Sequence, residues 1–590
     1  MFRINSLRHR LIALTVLGVV AVSITRDGSR LRSQPASDVL TSADVIAVMT
    51  AAATALSDPT MAVAVVDRTG AILGVYARPG TDLRSQDIAV SLARTGAFFS
   101  NDAAPLSSRT VRFISGIHFP PGVPNTGNAA LYGIENTNRG CSIGTQESTF
   151  TALPRPRGIQ GTPGAAGLMT PALPCQPSDT RGCTRGDAIA DAPVASPSPV
   201  VPILSGISTG KRSVSDTEAF PSSVNPGGTP LYRNGHVVGG VGVAGVAPDR
   251  ADFAAVRAAA ANARGLVPVF SFPNELPSPS AVYVDGIRLP FFQSCLTVSC
   301  VTDAVTNQRP SGSSPGTFSA FDVRGATIGG QPAPEGYLLG PRASSSGGLS
   351  ADEVSRIVTQ SAAAANDTRA VIRLPSGQTT RMVISVSDQN GEFLAIFRMP
   401  DATMFSVDVS MEKARNAFYF STAEGYSTLK GYVDNNRYDR YTWEPAPPAG
   451  RGWAITNRTL SFGGQPLFPP GIDLEKPPTP GPWFDLFRYD AQNPCTEGSG
   501  PSRGGNRSFQ NQSGIVWFPG SAPLYKNGNL VGGIGVSGDG VEQDDFVTAG
   551  GVTGFEPPPE LRVDNSSIRT GSGSSIRLPY FKFPRNPTQK

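Results

Sequence analysis

The sequence predicts an α+β fold in two tandem domains, each an antiparallel sheet flanked by helices. Three observations carry that expectation. The first is that the chain contains itself twice. "VVDRTG" (65–70) returns as "SVSDQNG" (385–391), setting Asp67 against Asp388 and Gly70 against Gly391. "LARTGAFFS" (92–100) returns as "KARNAFYFS" (413–421), and "RTVRFISGIHFPPG" (109–122) as "RTLSFGGQPLFPPG" (458–471). "PLYRNGHVVGGVGVAG" (230–245) returns as "PLYKNGNLVGGIGVSG" (523–538), and "IRLPFF" (287–292) as "IRLPYF" (576–581). Chance does not give five matches in one order, so the uneven spacing between them marks loop insertions in a tandem duplication. The second observation is that β-rich runs in both copies are joined by tight Gly-containing turns, which build hairpins rather than parallel crossovers. The third is that each copy opens with a capped helix.

The elements follow in order. Copy one spans 40–292, with an insertion at about 123–226; copy two spans 349–583, with an insertion at about 423–518. The Ser/Gly/Pro-rich stretch between them, 293–348, reads as a linker. The opening helix is "TSADVIAVMTAAATAL" after Thr41 or Ser42, and "SADEVSRIVTQSAAAA" after Ser350. A hairpin follows, "MAVAVVD-RTG-AILGVYAR" or "MVISVSD-QNG-EFLAIFR", and then an amphipathic helix carrying the Ala-Arg and Phe-Ser pairs. A second hairpin turns at Asn234-Gly235 or Asn527-Gly528, and a helix near Asp252 or Asp544 closes the unit.

The stretch "LVGGIGVSG" (530–538) contains G-x-G-x-x-G at Gly533, Gly535 and Gly538. A dinucleotide fingerprint needs a parallel β-α-β unit and an acidic residue about 20 positions on. Here a tight hairpin precedes the strand and that acid is missing. With side chains alternating along a strand, Val531, Gly533, Gly535 and Ser537 share one face, and Leu530, Gly532, Ile534 and Val536 the other. A bare strand face implies close approach of something bulky: a packed helix, a flat ligand or another subunit.

The N-terminus has the form of a targeting segment. "MFRINSLRHR" is basic, "LIALTVLGVVAVSI" is an apolar run, and Ala21-Val22-Ser23 offers a small-x-small cleavage site. The run is shorter than the ~20 residues of a membrane span, so residues 1–33 are expected to be a signal peptide or an N-terminal anchor, and the protein to be exported. The six cysteines suit an oxidising compartment, with local bridges within reach at Cys175/Cys183 and Cys295/Cys300; their pairing stays open. Net charge is only +4 and the basic residues are dispersed, which argues against nucleic acid as a partner.

V-x-D-x-x-G, an F-R-M strand end, K-A-R in a helix, a P-L hairpin into G-G-x-G-V-S-G and a D-D helix start together resemble the GlcG/HbpS-like haem-binding family. A related module ends some PduO-type cobalamin adenosyltransferases. Copy two carries the pattern at Asp388, Gly391, Arg398, Met399, Lys413, Ala414, Gly532, Gly533, Gly535, Val536, Ser537, Gly538 and Asp544. Copy one departs from it: Ala77-Arg78 stands for Arg398-Met399, Leu92 for Lys413 and Ala244 for Ser537. The resemblance implies a profilin-like, five-stranded antiparallel sheet with helices on both faces, and assembly into oligomers. Its members are described as binding haem or corrinoids, and some as degrading haem.

For this chain the resemblance implies a haem or other small hydrophobic, tetrapyrrole-like ligand, and an intramolecular pseudo-dimer that can form homo-oligomers. Candidate contacts are His118 as iron ligand, Tyr232 and Tyr525 as shared tyrosines, Lys413, Arg398, and the ribbon glycines Gly533 and Gly535. Arg109 and Arg458, shared in R-T-x-x-F, can clamp a carboxylate such as a propionate, or can form salt bridges that fix the loop. His236 lies on a hairpin turn and reads as solvated; in copy two His118 and His236 are replaced by Leu467 and Asn529. Asp544-Asp545 read as helix caps, and no nucleophile–base pair stands out. Two other functions remain open: a structural or assembly module without ligand, and an enzyme of unknown type.

Overall fold

The computed structural model describes residues 39–115 (apart from 71 and 82), 224–260, 335–470 (apart from 375–376), 479–492 and 514–588, together with residue 134 and the short stretches 142–144, 203–205, 281–284, 287–292 and 317–319. The targeting segment, all six cysteines, His118 and most of the 123–226 insertion lie outside the described residues. Among the described residues no helix is long and apolar enough to cross a membrane.

Helix α1 (Ser42–Ala53) starts at a capping box: Asp44 N donates to Thr41 Oγ1 and Thr41 N to Asp44 Oδ2 at 2.7 Å. Strands β1 (Ala62–Asp67) and β2 (Ile72–Ala77) form the first hairpin, turning at Gly70 with φ 85°. Asp67 Oδ1 accepts from Thr69 N at 2.8 Å and so fixes the start of that turn. Then come α2 (Leu83–Phe99), α3 (Ser108–Ser115) and the short pair β3 (Ser142–Gly144) and β4 (Ile203–Ser205). Strands β5 (Gly228–Arg233) and β6 (His236–Ala244) make the second hairpin, followed by α4 (Pro248–Ala260), β7 (Ala281–Val284), β8 (Ile287–Pro290) and β9 (Thr317–Ser319). The sheet order is β5-β6-β1-β2-β9, antiparallel throughout, and this is the first lobe.

The second lobe begins with β10 (Gly336–Leu339) and α5 (Ala351–Asp367), the latter capped by Ser350 and Glu353. It continues with β11 (Val383–Asp388), β12 (Phe393–Arg398), α6 (Phe405–Phe420), α7 (Ala423–Asp434), β13 (Thr442–Glu444), α8 (Asn457–Gly463) and α9 (Phe484–Gln492). Strands β14 (Ser521–Lys526) and β15 (Asn529–Ser537), helix α10 (Val541–Gly551) and strands β16 (Ser567–Arg569) and β17 (Ser575–Arg577) complete it. Its main sheet is also antiparallel, in the order β10-β12-β11-β15-β14.

The registers of the two sheets correspond. Asp67 pairs with Gly239 and Ala62 with Ala244, as Asp388 does with Gly532 and Val383 with Ser537. The second hairpins turn through Asn234 (φ 52°) and Gly235 (φ 83°), and through Asn527 (φ 52°) and Gly528 (φ 76°), the left-handed pair that matches strand twist.

Two stretches differ from expectation. The 293–348 segment, expected as a linker, supplies β9 to one sheet and β10 to the other. The 423–518 segment, expected as a loop insertion, contains α7, α8, α9 and β13, and β13 pairs with β16. Trp443, Trp453, Trp483 and Trp517 pack there with Tyr441, Phe487 and Tyr580 in an aromatic core of their own. The uneven spacing of the repeats marks an insertion here without saying whether it folds; the tryptophans supply the apolar area that holds it together.

Candidate functional site

The ribbon glycines are explained by helix packing. A Cβ on Gly533 would lie 2.1 Å from Ala414 O, and one on Gly535 2.0 Å from Ser410 O. Helix α6 therefore rests directly on β15, and a flat ligand has no place on that face. Helix α2 sits on β6 in the same way, with Ala93 O and Ala89 O each 2.0 Å from a Cβ built at Gly240 and Gly242.

This close docking carries Lys413 into the interior. Its Nζ donates to Val536 O at 2.7 Å and to Asp544 Oδ2 at 2.9 Å, and lies 4.6 Å from the centre of the Phe518 ring. Asp544 occupies the first turn of α10, where the helix dipole favours a carboxylate. Burial, with Asp545 and Asp539 nearby, pushes its carboxyl up to about 7 against the pull of Lys413. Burial also lowers the Lys413 ammonium, against the pull of Asp544. Asp544 thus takes up a proton more readily than an exposed carboxylate would, and Lys413 gives one up more readily than an exposed lysine would.

Two further ion pairs adjoin it. Arg458 Nε donates to Asp545 Oδ2, whose other oxygen accepts from Gly520 N at 3.0 Å. The first lobe has the counterpart, Arg109 Nε to Asp252 Oδ2 at 2.5 Å. Both shared arginines clamp a carboxylate of the closing helix, the salt-bridge arrangement expected of a loop-fixing pair. Arg373 Nε binds Asp539 Oδ2, and its Nη1 reaches Asp401 Oδ2 at 2.6 Å. Gly540, and not the expected Asp544 or Asp545, occupies the N-cap position, and both acids point into ion pairs.

The other sequence candidates do not converge on this seam. Arg398 is buried at the end of β12 and donates to Ala402 O at 3.0 and 2.6 Å. Burial lowers its guanidinium. Tyr232 is fully buried and donates to Asn101 O at 2.7 Å, with its hydroxyl pushed well up by burial. Tyr525 is buried in the aromatic core and pushed up to about 12 by the same cause. His236 is 49% exposed, yet it is anchored: its Nδ1 lies 2.6 Å from Asp102 Oδ2. Residues that sequence reasoning passed over include Arg94 and Arg415, whose Nε atoms donate to Gly70 O at 2.9 Å and Gly391 O at 2.8 Å and lock the hairpin turns. Their signal was their shared place in the Ala-Arg pair.

Around the seam the two lobes differ systematically. Lys413 aligns with Leu92, Asp544 with Ala251, Ser385 with Ala64, Ser410 with Ala89, Ser387 with Val66 and Ser537 with Ala244. In the second lobe Ser385 Oγ lies 2.8 Å from Ser410 Oγ, and Ser537 Oγ donates to Ser406 Oγ at 3.3 Å. The first lobe packs apolar side chains at every one of these six positions. At these aligned positions the interior between sheet and helix is polar in the second lobe and apolar in the first. Among the described residues, no group of three or more His, Cys, Asp or Glu could hold a metal ion.

No curated protein matches the chain. Among solved structures it is similar to the Klebsiella pneumoniae protein ORFY of family model DUF336, at 17% identity over 35% of this chain and 90% of that one, with a TM-score of 0.20. It is likewise similar to a PduOC–haem complex, at 17% identity over 36% of this chain and 99% of the other, with a TM-score of 0.18. The family model described as haem degrading protein HbpS-like matches residues 485–553, the span that holds β14, the glycine ribbon β15 and the whole of α10 with Asp544 and Asp545.

Proposed function

We propose that the protein is an exported, haem- or tetrapyrrole-related binding protein whose two HbpS-like lobes arose by duplication and associate within one chain. The HbpS-like match over 485–553 carries this reading, because it falls on the ribbon and helix that both lobes share. The basic, then apolar, N-terminal segment supports export. The polar seam itself does not fit a haem. Helix α6 covers Gly533 and Gly535, Lys413 and Arg458 are committed to carboxylates, and Tyr232 is committed to a carbonyl. A tetrapyrrole is therefore held elsewhere on the chain, and the histidines of the first lobe are the side chains to test. At His236 the carboxylate of Asp102 fixes the imidazole, as partners of ligating histidines do.

The test is titration of the full chain with haem, followed in the visible spectrum, beside His118→Ala and His236→Ala. A Soret shift that one substitution abolishes supports the proposal. A spectrum identical to free haem for the unaltered chain refutes it. In that event the structural or assembly reading stands, favoured by the ion pairs that hold Lys413, Arg458 and Arg373 to carboxylates of the same chain.

A further inference from the structure

The two lobes meet through parts that are not equivalent. Phe99, at the C-terminal end of α2, stacks on Phe405, at the N-terminal end of α6, with ring centres 4.5 Å apart. Beside them Asp102 N donates to Asp401 Oδ1 at 2.9 Å and Leu374 N to Ala103 O at 3.2 Å. By the repeat alignment Phe99 corresponds to Phe420, and Phe405 to Arg84. The contact is thus head-to-tail, the tail of one helix against the head of its counterpart. A head-to-tail contact is heterologous, and unless its rotation closes a ring each added unit offers a fresh tail.

In the second lobe that tail is covered. The first lobe passes from Ser100 to α3 through a short connection, Asn101 to Ser107. The corresponding stretch of the second lobe, 422–456, contains α7 and folds back over the end of α6. Phe420 and Tyr419 are buried against Leu429 and Val433 of α7 in the aromatic core. Two glycines allow the approach: a Cβ on Gly425 would lie 2.2 Å from Tyr419 O, and one on Gly452 2.3 Å from Thr422 O. Ile455 N donates to Ser421 Oγ at 2.9 Å and pins the returning chain.

We propose that segment 422–456 is a stopper: it occupies, on the second lobe, the surface by which the first lobe holds its neighbour, and so ends the stack at two lobes. The partner it excludes is a further copy of this chain, which would present the head of its own α2, with Arg84 in the place of Phe405. The inference rests on reading the lobes as copies, but not on any ligand, so a failed haem titration leaves it standing.

The test replaces 422–456 in the full chain by the first lobe's own connection, Asn101 to Ser107, and compares sedimentation velocity with the unaltered chain over a range of concentrations. The shortened chain is expected to gain mass with concentration beyond whatever the unaltered chain shows, and Phe420→Asp in the shortened chain is expected to reverse the gain. A shortened chain that keeps its far-UV circular dichroism and sediments as a species no larger than the parent overturns the proposal. Should the shortened chain fail to fold, Leu429→Asp with Val433→Asp in the full chain lifts α7 while leaving the segment in place. Faster hydrogen exchange over 423–434 with no added association then overturns it equally.

Discussion

Lys413 Nζ lies 2.9 Å from Asp544 Oδ2, at two positions that the first lobe fills with Leu92 and Ala251. The same backbone geometry therefore accepts a buried ion pair or an apolar pair. Gly520 packs against Lys413 and Asp544 just as Gly227 packs against Leu92 and Ala251. Mixed combinations are what the fold should resist.

A double-mutant cycle measures this. Lys413→Leu alone leaves Asp544 buried without its cation, and Asp544→Ala alone leaves a buried ammonium; each is expected to cost about 3–5 kcal/mol. The double replacement, which recreates the first lobe's pair, is expected to fall within about 1 kcal/mol of the parent or to exceed it in stability. Urea denaturation reads the cycle, and additive costs would show that the pair is not coupled.

The stability contributed by Asp544 depends on pH in a defined direction. Its folded-state pKa stands at about 7 against an ordinary 3.8, so the folded protein binds the extra proton between those values. That contribution is fully present below the ordinary value and is lost as pH rises through about 7. Asp544→Asn should flatten the fall in unfolding free energy across this window relative to the parent. Equal slopes for the two proteins would contradict the assignment.

Glycines of the ribbon and of the turn should respond differently to alanine. At Gly535 the added methyl meets Ser410 O, and displacing α6 is expected to cost about 1–3 kcal/mol or more. At Gly528 nothing lies within 4 Å, and only the positive φ of 76° is strained, with an expected cost of about 1 kcal/mol. Chemical denaturation of Gly535→Ala and Gly528→Ala compares them; a ribbon cost no greater than the turn cost would remove the helix contact as the reason for the bare face.

Local signals were the legible part of this sequence. Thr41 and Ser350 cap their helices, and Asn234-Gly235 and Asn527-Gly528 turn their hairpins, because each effect is decided within a few residues. The bare strand face announced close contact but not its partner, since a helix and a planar ligand make the same demand on a backbone. The pairs Arg109–Asp252 and Arg458–Asp545 join residues far apart in the chain, and nothing in either motif names the other. Lys413 and Asp544 did leave a trace: both are polar where the aligned residues of the first lobe, Leu92 and Ala251, are apolar. Strands β9 and β10 escaped notice because a Ser/Gly/Pro-rich stretch lacks alternation strong enough to mark an edge strand.

The aromatic core has an optical consequence. All four tryptophans of the chain lie in it, so intrinsic indole fluorescence reports on the outlying part of the second lobe alone. The first lobe has tyrosine but no tryptophan. An emission-detected unfolding curve will therefore follow the stopper region and its neighbours while the first lobe melts unseen, and a circular dichroism curve recorded beside it separates the two.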